Sequence, residues 1–246
     1  MSGSPAISAR DLSGGYGGAP VISGLDFDVA PGAMVAVLGP NGGGKTTLFR
    51  ALLGELPRRT GAVTLAGPPA YVPQTERYRL DFPVSALDVA LMGTYASLPW
   101  YRPLGPEQRR RARAALARVG LSEQAGERFG NLSGGQRQRV LIARALAREA
   151  SVILLDEPLS GVDHPSGERI LALLRELRDE GRTILVSSHD IEQARGFDAV
   201  LCLNGRQVFF GPAAGMTAEV LRATYGGEIV VLEGGAEAIV VQHHHH

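Results

Sequence analysis

Short apolar runs alternate along this chain with longer stretches in which apolar residues recur every three or four positions. Met34-Val35-Ala36-Val37-Leu38, Val152-Ile153-Leu154-Leu155 and Thr183 to Ser187 are unbroken by charge, as strands buried on both faces are. They predict strands near 34–38, 152–155 and 183–187. Between the last two, Ile170, Leu173, Leu174 and Leu177 keep the i, i+3, i+4, i+7 spacing of a buried stripe, which predicts a packing helix from Ser166 to Glu180 that stops at Gly181. Strands and helices in this order define an α/β fold with a mainly parallel sheet. From about Tyr78 to Ala147 helical patterns follow one another with no buried strand between them, so this segment reads as a helical insert. Pro99, Pro103, Gly105 and Pro106 mark a loop inside it. Near the end, Glu228 to Leu232 and Ala238 to Val241 flank Gly234-Gly235 in the pattern of a small structural hairpin.

Composition narrows the classes of function. At 246 residues and 44% hydrophobic content the chain can bury a sizeable core. Its 25 basic and 25 acidic residues cancel, so no overall field draws nucleic acid or an anionic membrane. Arg109-Arg110-Arg111 and Arg113 share a helical pattern, running to about Val119, with the apolar positions Ala112, Ala115, Leu116 and Val119. They read as a solvated basic face. No apolar run approaches the ~20 residues that cross a bilayer. The start, Met1-Ser2-Gly3-Ser4-Pro5, lacks the order of a secretory signal, and Cys202 is a single cysteine; both favour the cytoplasm. His243 to His246 read as a partial purification tag, which leaves His164 and His189 as the native histidines.

The segment Gly39-Pro40-Asn41-Gly42-Gly43-Gly44-Lys45-Thr46 fits G-x-x-x-x-G-K-[ST] between a buried run and a helical pattern from Thr47 to Leu53. Backbone N–H groups of such a loop, here at Gly39, Asn41, Gly42 and Gly44, converge on a phosphate chain, and the helix start adds its positive dipole end. Lys45 is expected to reach the β- and γ-phosphates, Thr46 to ligate Mg²⁺, and Thr47 to make a secondary phosphate contact. Asp156 and Glu157 follow the second buried run, at the sheet edge where open α/β folds bind ligands. Asp156 suits the Mg²⁺ shell. Glu157, read as one residue beyond the strand, suits orienting and deprotonating an attacking water. His189 follows the third run and is expected at the same edge, holding the γ-phosphate and that water, with an acid/base contribution as the alternative. His164, beside Pro165, is assigned to a loop without a chemical role.

Six motifs in order now carry a family resemblance: GPNGGGKTT from Gly39, Tyr71-Val72-Pro73-Gln74, LSGGQ from Leu132, ILLDEP ending at Pro158, Ser160-Gly161-Val162-Asp163, and His189. Over nearly all its native length the chain resembles the nucleotide-binding subunit of ATP-binding cassette (ABC) transporters. The resemblance implies one domain over 1–242, with a phosphate-loop (RecA-like) core at about 1–77 and 148–242, an antiparallel β portion on the N-terminal side, and a helical subdomain at about 78–147. It implies that Tyr16 stacks on adenine and that Gln74 approaches Mg²⁺ and the water. Ser133, Gly134 and Gly135 would close on the γ-phosphate held by an opposite subunit, with Asp163 communicating between the two. Physically, Ser133 and the N–H groups opening the next helix form a second anion site. Gly43 stands where alanine is frequent, and Gly161-Val162 occupies a variable stretch. Neither removes a catalytic group.

The same resemblance implies ATP hydrolysis in a head-to-tail dimer that encloses two ATP molecules and drives a separate membrane permease. A solute-binding protein would be an indirect partner, nucleic acid would not be one, and the subunit would lie peripherally on the cytoplasmic face of the plasma membrane. Asp81 to Gly93, with Phe197-Asp198, Leu203-Asn204-Gly205 and Phe210-Gly211-Pro212, looks like the branch serving manganese and zinc importers, sometimes iron. A siderophore or haem system is the alternative cargo. A soluble regulatory cassette fits less well, because this chain carries one cassette and no coiled-coil insertion. The aromatic residues between Gln74 and about Arg102, including Trp100, fit equally a groove for a permease helix and the packing of the insert.

Overall fold

The structure, a computed structural model, describes residues 4–74, 82–95, 98, 99, 101, 103–226, 229–231 and 238–240. The chain divides into two compact units: residues up to Ala66 together with those from Thr183 onward, and Gly67–Arg182.

The first unit opens with β1 (Ile7–Gly15) and β2 (Ile22–Val29), which pair antiparallel. In β2 Leu25, Phe27 and Val29 are buried while Asp26 and Asp28 are exposed, the two-residue alternation of a sheet with one wet face. Next, β3 (Met34–Leu38) is buried at all five positions and feeds α1 (Lys45–Leu53). The strand β4 (Arg58–Leu65) then returns to β1, giving an antiparallel sheet in the order β2-β1-β4. This is the antiparallel portion that the family resemblance implied.

The second unit holds β5 (Ala70–Val72), α2 (Ala86–Met92), α3 (Pro106–Arg118), α4 (Gly134–Ala147), β6 (Val152–Leu155) and α5 (His164–Asp179). The helices α2, α3 and α4 pack on one another, burying Val89 and Leu91, Ala112 and Leu116, and Val140 and Leu141. The basic side of α3 carries its own counterions: Glu107 accepts from Arg110 and Arg111, and Arg118 pairs with Glu180. The two guanidiniums, Arg110 first, hold the Glu107 carboxyl down at about 2. A solvated face, as the pattern predicted, accounts for this run. Tyr78, Asp81, Trp100 and Arg102 lie outside the described residues.

Back in the first unit, β7 (Thr183–Ser188), the short α6 (Ile191–Ala194), β8 (Ala199–Leu203), β9 (Gln207–Pro212) and α7 (Ala218–Tyr225) complete the chain before the tail. Here β3 lies between β7 and β8, parallel to both, and β9 joins β8 antiparallel. In the tail, β10 (Ile229–Val231) and β11 (Ala238–Val240) pair antiparallel as a hairpin; the residues between them lie outside the described set.

Two helix starts and the offset of one residue differ from the sequence expectation. The helix α5 begins at His164 rather than Ser166, because the Asp163 carboxylate accepts the Ser166 N–H at 2.9 Å. Pro165 fits the first turn, where an N–H has no intrahelical partner anyway. His164 is therefore an exposed helical residue, not a loop residue. The helix after the phosphate loop starts at Lys45, two residues before Thr47. Finally, β6 ends at Leu155, so Glu157 is the second residue beyond the strand, not the first.

Candidate functional site

In the first unit the register of the parallel strands sets the site. Leu38 on β3 pairs with Ser188 on β7, so Gly39 and His189 leave the sheet as neighbours at one edge. The His189 side chain is exposed there. The loop closes by a hydrogen bond from the Gly43 N–H to the Pro40 carbonyl at 3.0 Å. Lys45 is buried, and its ammonium turns back across the loop to donate to the carbonyls of Gly39 at 2.8 Å and Pro40 at 3.3 Å. The N-cap of α1 is Gly44, which supplies no side-chain cap, and the first turn holds no acid. The positive end of the helix is thereby open to an anion. Thr46 and Thr47 lie in that first turn, Thr47 buried.

Tyr16 lies in the turn between β1 and β2, half exposed at 49%. The Arg50 guanidinium of α1 sits over its ring, 5.4 Å from the centroid, a cation–π contact that steadies the ring. Sequence inspection passed over Arg50, since nothing local pairs a helix arginine with a tyrosine so far upstream.

In the second unit β5 and β6 run parallel, with Val72 opposite Leu155 and the Asp156 N–H donating to the Val72 carbonyl at 2.9 Å. Gln74 and the acids therefore leave at a common edge. The Gln74 amide donates to a Glu157 carboxylate oxygen at 3.3 Å. Asp156 is buried, and the Tyr71 hydroxyl donates to it at 3.3 Å, a contact between residues 85 positions apart that no local pattern announced. Glu157 has φ +46°, in the left-handed region that side chains other than glycine, asparagine and aspartate seldom occupy. Such a backbone redirects the carboxylate relative to the strand before it.

Ser133 is the N-cap of α4. Its hydroxyl accepts the Gln136 N–H at 3.2 Å, while the Gln136 side chain accepts the Ser133 N–H at 2.8 Å, a reciprocal capping box. The last letter of LSGGQ thus has a local structural purpose. The Ser133 side chain is exposed, and an accepting hydroxyl keeps its own O–H to donate elsewhere. Gly135 packs where a Cβ would come within 2.8 Å of the Ser166 side chain on α5, so a larger residue would force that contact to shift. Asp163, which caps α5, is held below the usual carboxylate range by the Ser166 N–H it accepts.

A glycine loop at the carboxyl end of a buried parallel strand, opening into a helix, is the arrangement of phosphate-loop nucleotide-binding proteins. Residues 22–160 match the ABC transporter family model, and the chain belongs to that family. It is 41% identical to the manganese transport system ATP-binding protein MntB of Halalkalibacterium halodurans, over 96% of this chain and 98% of that protein. With the zinc transport system ATP-binding protein TroB of Treponema pallidum it shares 40% identity, over 91% of this chain and 88% of the relative. Among solved structures it is similar to an ABC transporter described as of metal-chelate type, in an inward-facing conformation. The TM-score is 0.83 and the identity 33%, over 89% of this chain and 88% of the other.

Proposed function

We propose that this chain is the ATP-hydrolysing subunit of an importer of a divalent metal ion, manganese or zinc, and works as a dimer beneath a separate permease. The supporting observation is near-complete coverage, at 41% identity, by a manganese transport ATP-binding protein, in a chain that keeps every motif residue hydrolysis needs. No helix among the described residues is long and apolar enough to cross a membrane, in keeping with a peripheral subunit. A solute-binding protein that delivers the ion to the permease is part of the same reading. So is the partition of the cassette into a core and a helical subdomain at about 78–147.

Tyr16 stacks on adenine. The N–H groups of Gly39, Asn41, Gly42 and Gly44, with Lys45 and Thr47, cradle the phosphates. Glu157, its carboxylate oriented by Gln74, takes a proton from the water that attacks the γ-phosphorus as the bond to ADP breaks. His189 holds the γ-phosphate and that water. Ser133, Gly134 and Gly135 of one subunit donate to the γ-phosphate held by the other, and Asp163 carries the state of one site to its partner. Hydroxyl, amide and carboxylate oxygens are the donor set Mg²⁺ takes; Thr46, Gln74 and Asp156, the last buried, would hold it. When bound, Mg²⁺ neutralises charge on the phosphates.

Reconstitution with the cognate permease in vesicles, followed by an ion screen, tests the cargo. Manganese or zinc in the lumen or with the binding protein should stimulate ATP hydrolysis and be transported. Stimulation by a ferric chelate or haem alone would overturn the free-ion assignment in favour of a metal chelate, the second reading, which likeness to a metal-chelate type transporter supports.

A further inference from the structure

The turn between β8 and β9 belongs to no nucleotide motif, yet it is tied at once to the phosphate loop and to the first residues of β2 that anchor the Tyr16 turn. The Gly205 N–H donates to the Gly43 carbonyl of the phosphate loop at 2.9 Å, and the Gly205 carbonyl accepts the Ser23 N–H, also at 2.9 Å. Ser23 is the second residue of β2, which follows the Tyr16 turn; that turn closes on itself through the Val21 N–H to the Gly14 carbonyl at 2.9 Å. A parallel bridge between Ser23 and Arg206 repeats the connection. On the other side the Leu203 carbonyl presses on the phosphate loop, where a Cβ at Gly39 would stand only 2.0 Å from it.

Gly205 has φ +65°, a left-handed backbone strained for branched side chains. Space is not what demands glycine here, since a Cβ would meet only the Val21 carbonyl at an ordinary 3.6 Å. What the position requires is the conformation that aims its N–H at one loop and its C=O at the other.

We propose that Gly205 is a positioning residue that fixes the separation between the base-stacking turn and the phosphate loop, so that a nucleoside triphosphate engages both ends together. A base and a triphosphate joined by ribose form a ligand of set reach, and loops fixed in advance spare the ordering cost at binding. The inference rests on the reading of Tyr16 as the base-stacking residue.

Equilibrium binding of ATP and of inorganic tripolyphosphate, each with Mg²⁺, is compared in the full chain and in Gly205→Val, Gly205→Asn and Tyr16→Ala. The valine variant should weaken ATP about tenfold and tripolyphosphate less than about threefold, because a strained turn disturbs the spacing of the loops. Asparagine, which tolerates the left-handed region, should restore ATP affinity to within about threefold. Equal losses for both ligands would reduce Gly205 to a prop of the phosphate loop. Unchanged ATP binding, or no recovery with asparagine, would also overturn the proposal. Tyr16→Ala tests the underlying reading separately: it should weaken ATP and spare tripolyphosphate, and equal effects would remove Tyr16 from the base site whatever Gly205 does. If the valine protein does not fold, Gly205→Ala replaces it with the same order of effects.

Discussion

Two helix starts in this molecule are built from opposite materials. The first turn of α1 follows a glycine that offers no side-chain cap, and the turn itself carries no acid. The first turn of α4 follows Ser133, which is already satisfied by its own Gln136 in both directions. A glycine at the N-cap costs only about a few tenths of a kcal/mol relative to serine or aspartate, so α1 gives up a little local stability that a bound phosphate chain can restore. The α4 start has its third-position amide capped, and it offers the Ser133 hydroxyl proton together with the N–H groups of Gly134 and Gly135. On the proposed reading, one end holds an anion and the other meets an anion held by the partner subunit.

Several substitutions break this contrast, beginning with the largest effect. Glu157→Gln should keep ATP binding while lowering turnover by about 100-fold or more, and should trap a dimer in which both kinds of helix start are engaged. Steady-state hydrolysis and size-exclusion chromatography with ATP check this, and unchanged turnover would remove Glu157 as the base. Lys45→Ala attacks the α1 end alone: losing charge-assisted contacts to the phosphates should weaken nucleotide binding by about tenfold to 100-fold. Calorimetric titration that finds unaltered affinity would contradict the cradle. Ser133→Arg attacks the α4 end, and it should spare nucleotide binding to isolated subunits yet reduce cooperative turnover by about tenfold or more. Normal cooperativity in that variant would sink the two-surface arrangement. The smallest effect belongs to Gln136→Ala, which removes half of a capping box and should cost about 0.5–1 kcal/mol of stability in a denaturant titration.

Much of this was legible in the residues themselves. Periodicity placed β3 and β6 at their observed bounds and β7 within one residue, because an uninterrupted apolar run has few other places to go. The capping box at Ser133 and Gln136 was written in the S-x-x-Q spacing, and the start of α5 in Asp163 followed two residues later by Pro165. Contacts made by distant segments carried no such mark. Tyr71 reaches Asp156 only because β5 and β6 pair in one register, and Arg50 meets Tyr16 only after α1 folds back toward the turn. The turn at Gly205 looked like family-specific packing, and its ties to the phosphate loop come from where β8 ends in the sheet.

The backbone at Glu157 sets stability against activity. A carboxylate side chain held at φ +46° costs on the order of 1 kcal/mol that glycine would not, so Glu157→Gly is expected to melt higher while hydrolysing almost nothing. Any selection or screen that rewards a sturdier cassette will therefore tend to discard the base proposed here. On that reading turnover, not folding, requires an acid at this position.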